Sequence, residues 1–151
     1  MGILGLTYFS FNLIEFFFLG VEELAEVFKP IPVIACIVKE GLHLKSSMSM
    51  LSNDVILIGS SDAARSVRKQ IEEKSPFASH YRFVEVDEDQ TASANVLIFN
   101  KRLVYSSSFE HLYKEIPDFG GAPVSKSLVN SEFKKIDGCL TCRSVFFNKG
   151  K

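Results

Sequence analysis

Cysteine is sparse in these 151 residues: three in all, an odd number. A secreted disulfide framework needs an even and denser set, so reduced thiols in a cytoplasmic protein are the expectation. Charge of one sign is also lacking, with 17 Lys and Arg against 18 Asp and Glu and a net charge of −1. A nucleic-acid partner ordinarily shows as a clustered basic patch, and none is visible here, so no nucleic acid is expected as a partner. The densest basic group, Arg65, Arg68 and Lys69, is answered by Glu72 and Glu73 at helical spacing, the pattern of a solvated helix face. Pro/Gly/Ser-rich linkers and low-complexity tracts are absent too. Residues 1–151 are therefore expected to form one mixed α/β domain, long enough to bury a core.

The apolar opening, MGILGLTYFSFNLIEFFFLG, lacks what a targeting segment needs. No Lys or Arg precedes the apolar run, Asn12 and Glu15 interrupt it, and no small-residue cleavage pattern follows. Its length is near that of a bilayer-spanning helix. Its richness in Phe, Ile, Leu, Thr and Tyr favours instead a buried strand or pair of strands, and no membrane partner is expected.

What is present reads as alternating short elements. VEELAEVF sets Val21, Leu24, Ala25 and Phe28 at helical spacing ahead of Pro30, and the apolar run Ile31–Val38 fits a strand buried on both faces, with Cys36 a packed thiol inside it. GLHLKS alternates as a strand, Asn53-Asp54 marks a turn, and VILIG is a short buried strand. SSDAARSVRKQIEEK predicts a helix capped by Ser60 or Ser61 and stopped by Pro76, with Ala63, Ala64, Val67 and Ile71 as its apolar stripe. YRFVEV predicts a strand, NVLIFNKRLVYSS a hairpin turning at Asn100-Lys101, FEHLYKEI a helix, APVSKSL a strand, NSEFKKI a capped helical turn and CLTCRSVFFN a final strand. Glu40-Gly41 and Asp137-Gly138 each open a segment that bears the most chemical residues, His43 and Cys142, which hints at a repeated module.

Cys139 and Cys142 form a C-x-x-C. A redox pair of that spacing sits on a strand-to-helix turn, and here the expected order is helix, turn, strand. A zinc site needs a second ligand pair, and Cys36, His43, His80 and His111 offer none at a workable spacing. Redox pair, zinc ligands, inert buried pair and single nucleophile all stay open from spacing. Combined with one working thiol, His43 would complete a minimal Cys/His hydrolase pair, although a lone histidine in a strand is more often structural.

Four blocks, GLHLKS (41–46), ILIGSS (56–61), ASANVLIFN (92–100) and IDGCLTCRSVFFNK (136–149), resemble the C-terminal half of the dimethylarginine dimethylaminohydrolases, the dimethylargininases. The likeness runs in order from Glu15 to Lys149, and residues 1–14 align with nothing in it. It implies the guanidino-modifying (pentein) fold, a five-bladed α/β propeller of ββαβ modules, of which this chain would hold roughly the last two to three blades.

The resemblance further implies that Cys142 is the nucleophile and His43 the general acid/base in hydrolysis of Nω-methylated arginine to citrulline. Asp137 and the backbone at Ile136 match positions lining the substrate pocket. No metal or organic cofactor is implied. The family's enzymes are nearly twice this long, and their N-terminal half carries the acidic residues that grip the guanidinium. An arginine that the family places shortly after the EFFF segment has no counterpart, since the first arginine here is Arg65. Little or no activity of the isolated chain is the corresponding expectation. The alternative is an inactive family member that acts as an interaction protein, associating with itself through exposed sheet edges.

Overall fold

The computed structural model describes residues 14–38, 44–87, 92–100, 102–114, 124–136 and 138–145. Two units of the same ββαβ connectivity dominate it. In the first, β1 (Met48–Met50) pairs antiparallel with β2 (Val55–Gly59), and β2 pairs in parallel with β3 (Arg82–Val86). In the second, β4 (Leu97–Phe99) pairs antiparallel with β5 (Arg102–Ser106), and β5 pairs in parallel with β6 (Val124–Leu128). The sheet orders β1-β2-β3 and β4-β5-β6 are therefore equivalent, each with its second strand in the middle.

Local sequence explains most of this. VILIG is apolar without alternation because both faces of β2 are covered. Val55 and Leu57 point into a core shared with Val86, Val96, Leu103, Tyr105, Phe109 and Tyr113, which joins the two units. Ile56 and Ile58 point the other way, against Ala64, Val67 and Ile71 of the helix Asp62–Lys74. That helix is the parallel crossover of the first unit. Ser61 caps it by accepting the Ala64 N–H at 3.3 Å. Its outer face carries the expected ion pairs, Arg68–Glu72 at 2.8 Å and Lys69–Glu73 at 3.8 Å. The second crossover is a 3-10 turn, Ser107–Phe109, running into the helix Glu110–Lys114. The β4–β5 hairpin turns at Asn100, whose φ of 50° is a conformation that Asn tolerates. Numbered in chain order, the helices are α1 (Ile14–Val27), α2 (Leu44–Ser47), α3 (Asp62–Lys74), α4 (Glu110–Lys114) and α5 (Ser131–Lys134).

Four expectations are corrected. The strand expected in the apolar opening is, from Ile14 on, the helix α1, while residues 1–13 lie outside the described residues. A strand-rich composition without a period of two is a weak signal, and the Glu-rich turns that follow extend the helix backward. Residues 32–38 join neither sheet; Cys36 is buried as expected, but Ile37 is 53% exposed. GLHLKS is no strand at its described end, where Leu44–Ser47 make one helical turn leading into β1. In the described part of the expected final strand, residues 139–145, the chain forms a 3-10 turn, Thr141–Arg143, and then Ser144 in an extended conformation, while residues 146–148 lie outside the described residues. Among the described residues no helix is long and apolar enough to cross a membrane.

Candidate active site

The three thiols meet different surroundings, and none is in a disulfide. Cys36 is buried in the first unit's core, where burial pushes its thiol pKa up and the Lys74 ammonium only partly offsets that. Cys139 is half-buried. Cys142 is exposed, at the centre of the Thr141–Arg143 turn.

That turn is built by sharp local geometry and by two asparagines. Chain reversal after α5 brings the Gly138 N–H onto the Phe133 carbonyl at 2.8 Å, where it joins the Ile136 N–H at 3.1 Å. A Cβ at Gly138 would lie 2.9 Å from that carbonyl oxygen, so only glycine fits without a shift. Leu140, 3% exposed, anchors the next step, and the Ser144 hydroxyl donates back to the Leu140 carbonyl at 2.8 Å. Ahead of Cys142, the Thr141 N–H donates to Asn95 Oδ1 at 3.1 Å and Asn95 Nδ2 donates to Thr141 Oγ1 at 2.7 Å. Behind it, the Arg143 guanidinium donates to Asn130 Oδ1 and lies 3.9 Å over the Phe133 ring. Asn130 Nδ2 in turn donates to the Gly138 carbonyl at 3.1 Å. The expectation that α5 is a capped turn is thereby corrected: Asn130 stands at the N-cap position, but its side chain makes no capping bond.

Of the four residues expected at the site, Cys142 and Ile136 are described. The Ile136 side chain is 76% exposed. His43 and Asp137 lie outside the described residues. The chain resumes at Leu44, and the Lys45 carbonyl accepts a second bond from Asn95 Nδ2 at 2.7 Å. The segment from Leu44 onward and the Cys142 turn are thus joined through one side chain, although 96 positions separate Lys45 from Thr141 in the chain. Sequence reasoning missed Asn95 and Asn130 as site-builders. Their available signal was a single polar residue at each edge of an apolar or strand-forming run, and both are more than nine-tenths buried. Among the described residues, no group of three His, Cys, Asp or Glu is placed to hold a metal ion.

Two ββαβ units followed by a Cys-bearing turn fit the pentein-type fold that the sequence resemblance implies. Solved structures agree. A mutant of the Pseudomonas aeruginosa dimethylarginine dimethylaminohydrolase in complex with citrulline matches with a TM-score of 0.62 at 18% identity, over 82% of this chain and 44% of that one. A dimethylarginine dimethylaminohydrolase adduct with 4-chloro-2-hydroxymethylpyridine matches with the same TM-score over 82% of this chain and 46% of that one. No protein-family model matches the chain. In sequence, the chain is 32% identical over 130 residues to the N(G),N(G)-dimethylarginine dimethylaminohydrolase of Streptomyces coelicolor, covering 83% of this chain and 44% of the relative. It is 26% identical over 106 residues to that of Pseudomonas aeruginosa, covering 70% of this chain and 37% of the relative. The chain spans less than half the length of these curated relatives, and over that span it is similar to the dimethylarginine dimethylaminohydrolases.

Proposed function

We propose that this chain carries the Cys and His of an amidine hydrolase that converts Nω-methylated arginine to citrulline and dimethylamine or methylamine. The Cys142 thiolate adds to the guanidinium carbon. The carbon–nitrogen bond to the methylated amine then breaks, and His43 supplies the proton that the amine takes as it leaves. The resulting S-alkylthiouronium is hydrolysed by water, with His43 now accepting a proton, and the thiolate departs to leave citrulline. A cationic substrate beside Cys142 itself favours thiolate over thiol. The Asp137 carboxylate suits the substrate's α-amino group, and the backbone at Ile136 lines the same pocket. The two ββαβ units are taken as two blades of a five-bladed ring.

The observation that carries this reading is the contrast among thiols: Cys142 is exposed in a turn pinned on both sides, while Cys36 is buried. Turnover by the chain alone is expected to be weak. The resemblance places the guanidinium-gripping carboxylates outside it, and each charged hydrogen bond lost costs about 1.5–3 kcal/mol. Citrulline release from asymmetric dimethylarginine by the purified chain, against Cys142→Ser, tests the proposal. Turnover that survives the substitution contradicts it.

A second reading, a non-catalytic interaction protein that associates with itself, is favoured by one observation. Val129, Ile136 and Val145 are 79%, 76% and 85% exposed, and Val129 directly follows β6, an edge strand of its sheet. Association that strengthens with concentration, together with no Cys142-dependent turnover, is its signature.

A further inference from the structure

The geometry points to Asn95 as the positioning residue of the Cys142 nucleophile, holding its turn in register with the chain segment that begins at Leu44. Asn95 is 3% exposed and spends its whole amide on these two segments. Nδ2 gives one hydrogen to the Lys45 carbonyl and the other to Thr141 Oγ1, both at 2.7 Å, and Oδ1 accepts the Thr141 N–H at 3.1 Å. An amide is suited to this, because it presents two donors and an acceptor in one plane. Aspartate would keep the acceptor and lose the donors.

The loop that presents Asn95 is itself constrained. Ala92 adopts a φ of 78°, an unfavourable conformation for a residue with a Cβ, and the Asn95 N–H closes the turn on the Ala92 carbonyl at 3.0 Å. Tyr113 Oη donates to the Ser93 carbonyl at 2.5 Å, and the Val96 N–H donates to Ser49 Oγ at 3.2 Å. The amide is thus fixed from both sides by the shared core, so it transmits the position of the fold to the turn rather than following it. By sequence, Lys45 lies two residues after His43 and Thr141 lies one before Cys142. One side chain therefore acts on the chain next to both members of the proposed catalytic pair. Displacing a reacting group by about 1 Å can cost about 100-fold in rate, which gives such a tie a measurable consequence.

This inference rests on the proposed hydrolase activity, and the experiment separates the two. In the full chain, Asn95→Ala, Thr141→Val and Thr141→Ser are compared with the parent for kcat and KM with asymmetric dimethylarginine. The rate of Cys142 alkylation by iodoacetamide between pH 6 and pH 9 is read peptide by peptide in a mass spectrometer, on matched amounts of folded protein. Asn95→Ala is expected to lower kcat about 10- to 100-fold with KM within about twofold. Thr141→Val follows it part of the way, and Thr141→Ser, which restores the hydroxyl, recovers most of the loss. The alkylation profile of Cys142 shifts in the first two variants and returns toward the parent's in Thr141→Ser. If Asn95→Ala does not fold, the contrast between Thr141→Val and Thr141→Ser decides. An inactive parent whose Cys142 profile still responds in this way supports the tie and favours the non-catalytic reading over turnover by this chain. Unchanged kcat and an unchanged Cys142 profile in the folded variants overturn the tie.

Discussion

Gln70 and Ile37 are joined by a reciprocal pair of hydrogen bonds: the Ile37 N–H donates to Gln70 Oε1 at 2.8 Å, and Gln70 Nε2 donates to the Ile37 carbonyl at 2.9 Å. Lys74 Nζ adds a bond to the Ala35 carbonyl at 3.0 Å. The irregular chain at residues 32–38 therefore satisfies part of its backbone on side chains of α3. Gln70→Ala removes both bonds to Ile37. Because the pair is solvent-accessible, a loss of about 1 kcal/mol in unfolding free energy is expected, read from urea denaturation. The sharper readout is Cys36, which should become more reactive toward a thiol reagent in the native state. Unchanged Cys36 reactivity would show that the segment is held by its apolar contacts alone.

Alkaline pH should destabilise the fold. Burial, and secondarily the neighbouring Tyr105, pushes the Tyr113 phenol well above its ordinary value, and burial raises the Cys36 thiol as well. Both pKa values are higher folded than unfolded, so the unfolded chain loses these protons first. The stability they contribute is complete below the unfolded values, about 8.5 for a thiol and about 10 for a phenol, and declines as pH rises past them. Urea midpoints measured from pH 8 to pH 11 should fall, and Tyr113→Phe should flatten the part above pH 10. The same variant loses the bond to the Ser93 carbonyl, so at pH 7 it should be less stable by about 1 kcal/mol. A parent midpoint that is flat across this range contradicts the assignment.

Two glycines should respond oppositely to alanine. At Gly138 a Cβ would meet Phe133 O at 2.9 Å and Phe133 Cβ at 3.2 Å, so Gly138→Ala should cost about 1–3 kcal/mol and disturb the Cys142 turn. At Gly20, inside α1, a Cβ would meet nothing within 4 Å, and Gly20→Ala should stabilise by up to about 1 kcal/mol. Thermal denaturation of the two variants side by side checks the pair, and equal shifts would contradict the close approach at Gly138.

Leu57, fully buried at the centre of β2, faces the core that joins the two ββαβ units. Leu57→Ala should cost about 3 kcal/mol and lower the stability of both units together, seen as one shifted transition by amide exchange in β2 and β5. Exchange that rises in β2 alone would mean that the units are energetically independent.

Where neighbours in sequence decide the structure, it was legible. VILIG, the capped and amphipathic α3, the RFVEV strand and the turn at Asn100 each carry their own pattern, and all form as read. The expected echo of Glu40-Gly41 and Asp137-Gly138 falls largely outside the described residues; the repeat that the structure shows is the matched pairing of the two sheets, which no local pattern announced. The runs 31–38 and 139–148 read as strands because composition does not reveal whether a partner strand lies alongside, and among the described residues neither run pairs with one. Their backbones are held by distant side chains, Gln70 at a separation of 33 residues and Asn95 at 46. At the site, Cys142 was legible from its motif and is exposed, while Asn95 and Asn130 were hidden because a tertiary tie has no local spacing.

The central claim is that Cys142 is the nucleophile. Its most direct measurement is a rapid acid quench of the chain with asymmetric dimethylarginine, followed by peptide mass analysis of the three cysteines. A substrate-derived thiouronium adduct on Cys142 alone, absent from Cys142→Ser, is the predicted result. An adduct on Cys36 or Cys139, or citrulline formed at the parent rate by Cys142→Ser, would contradict it.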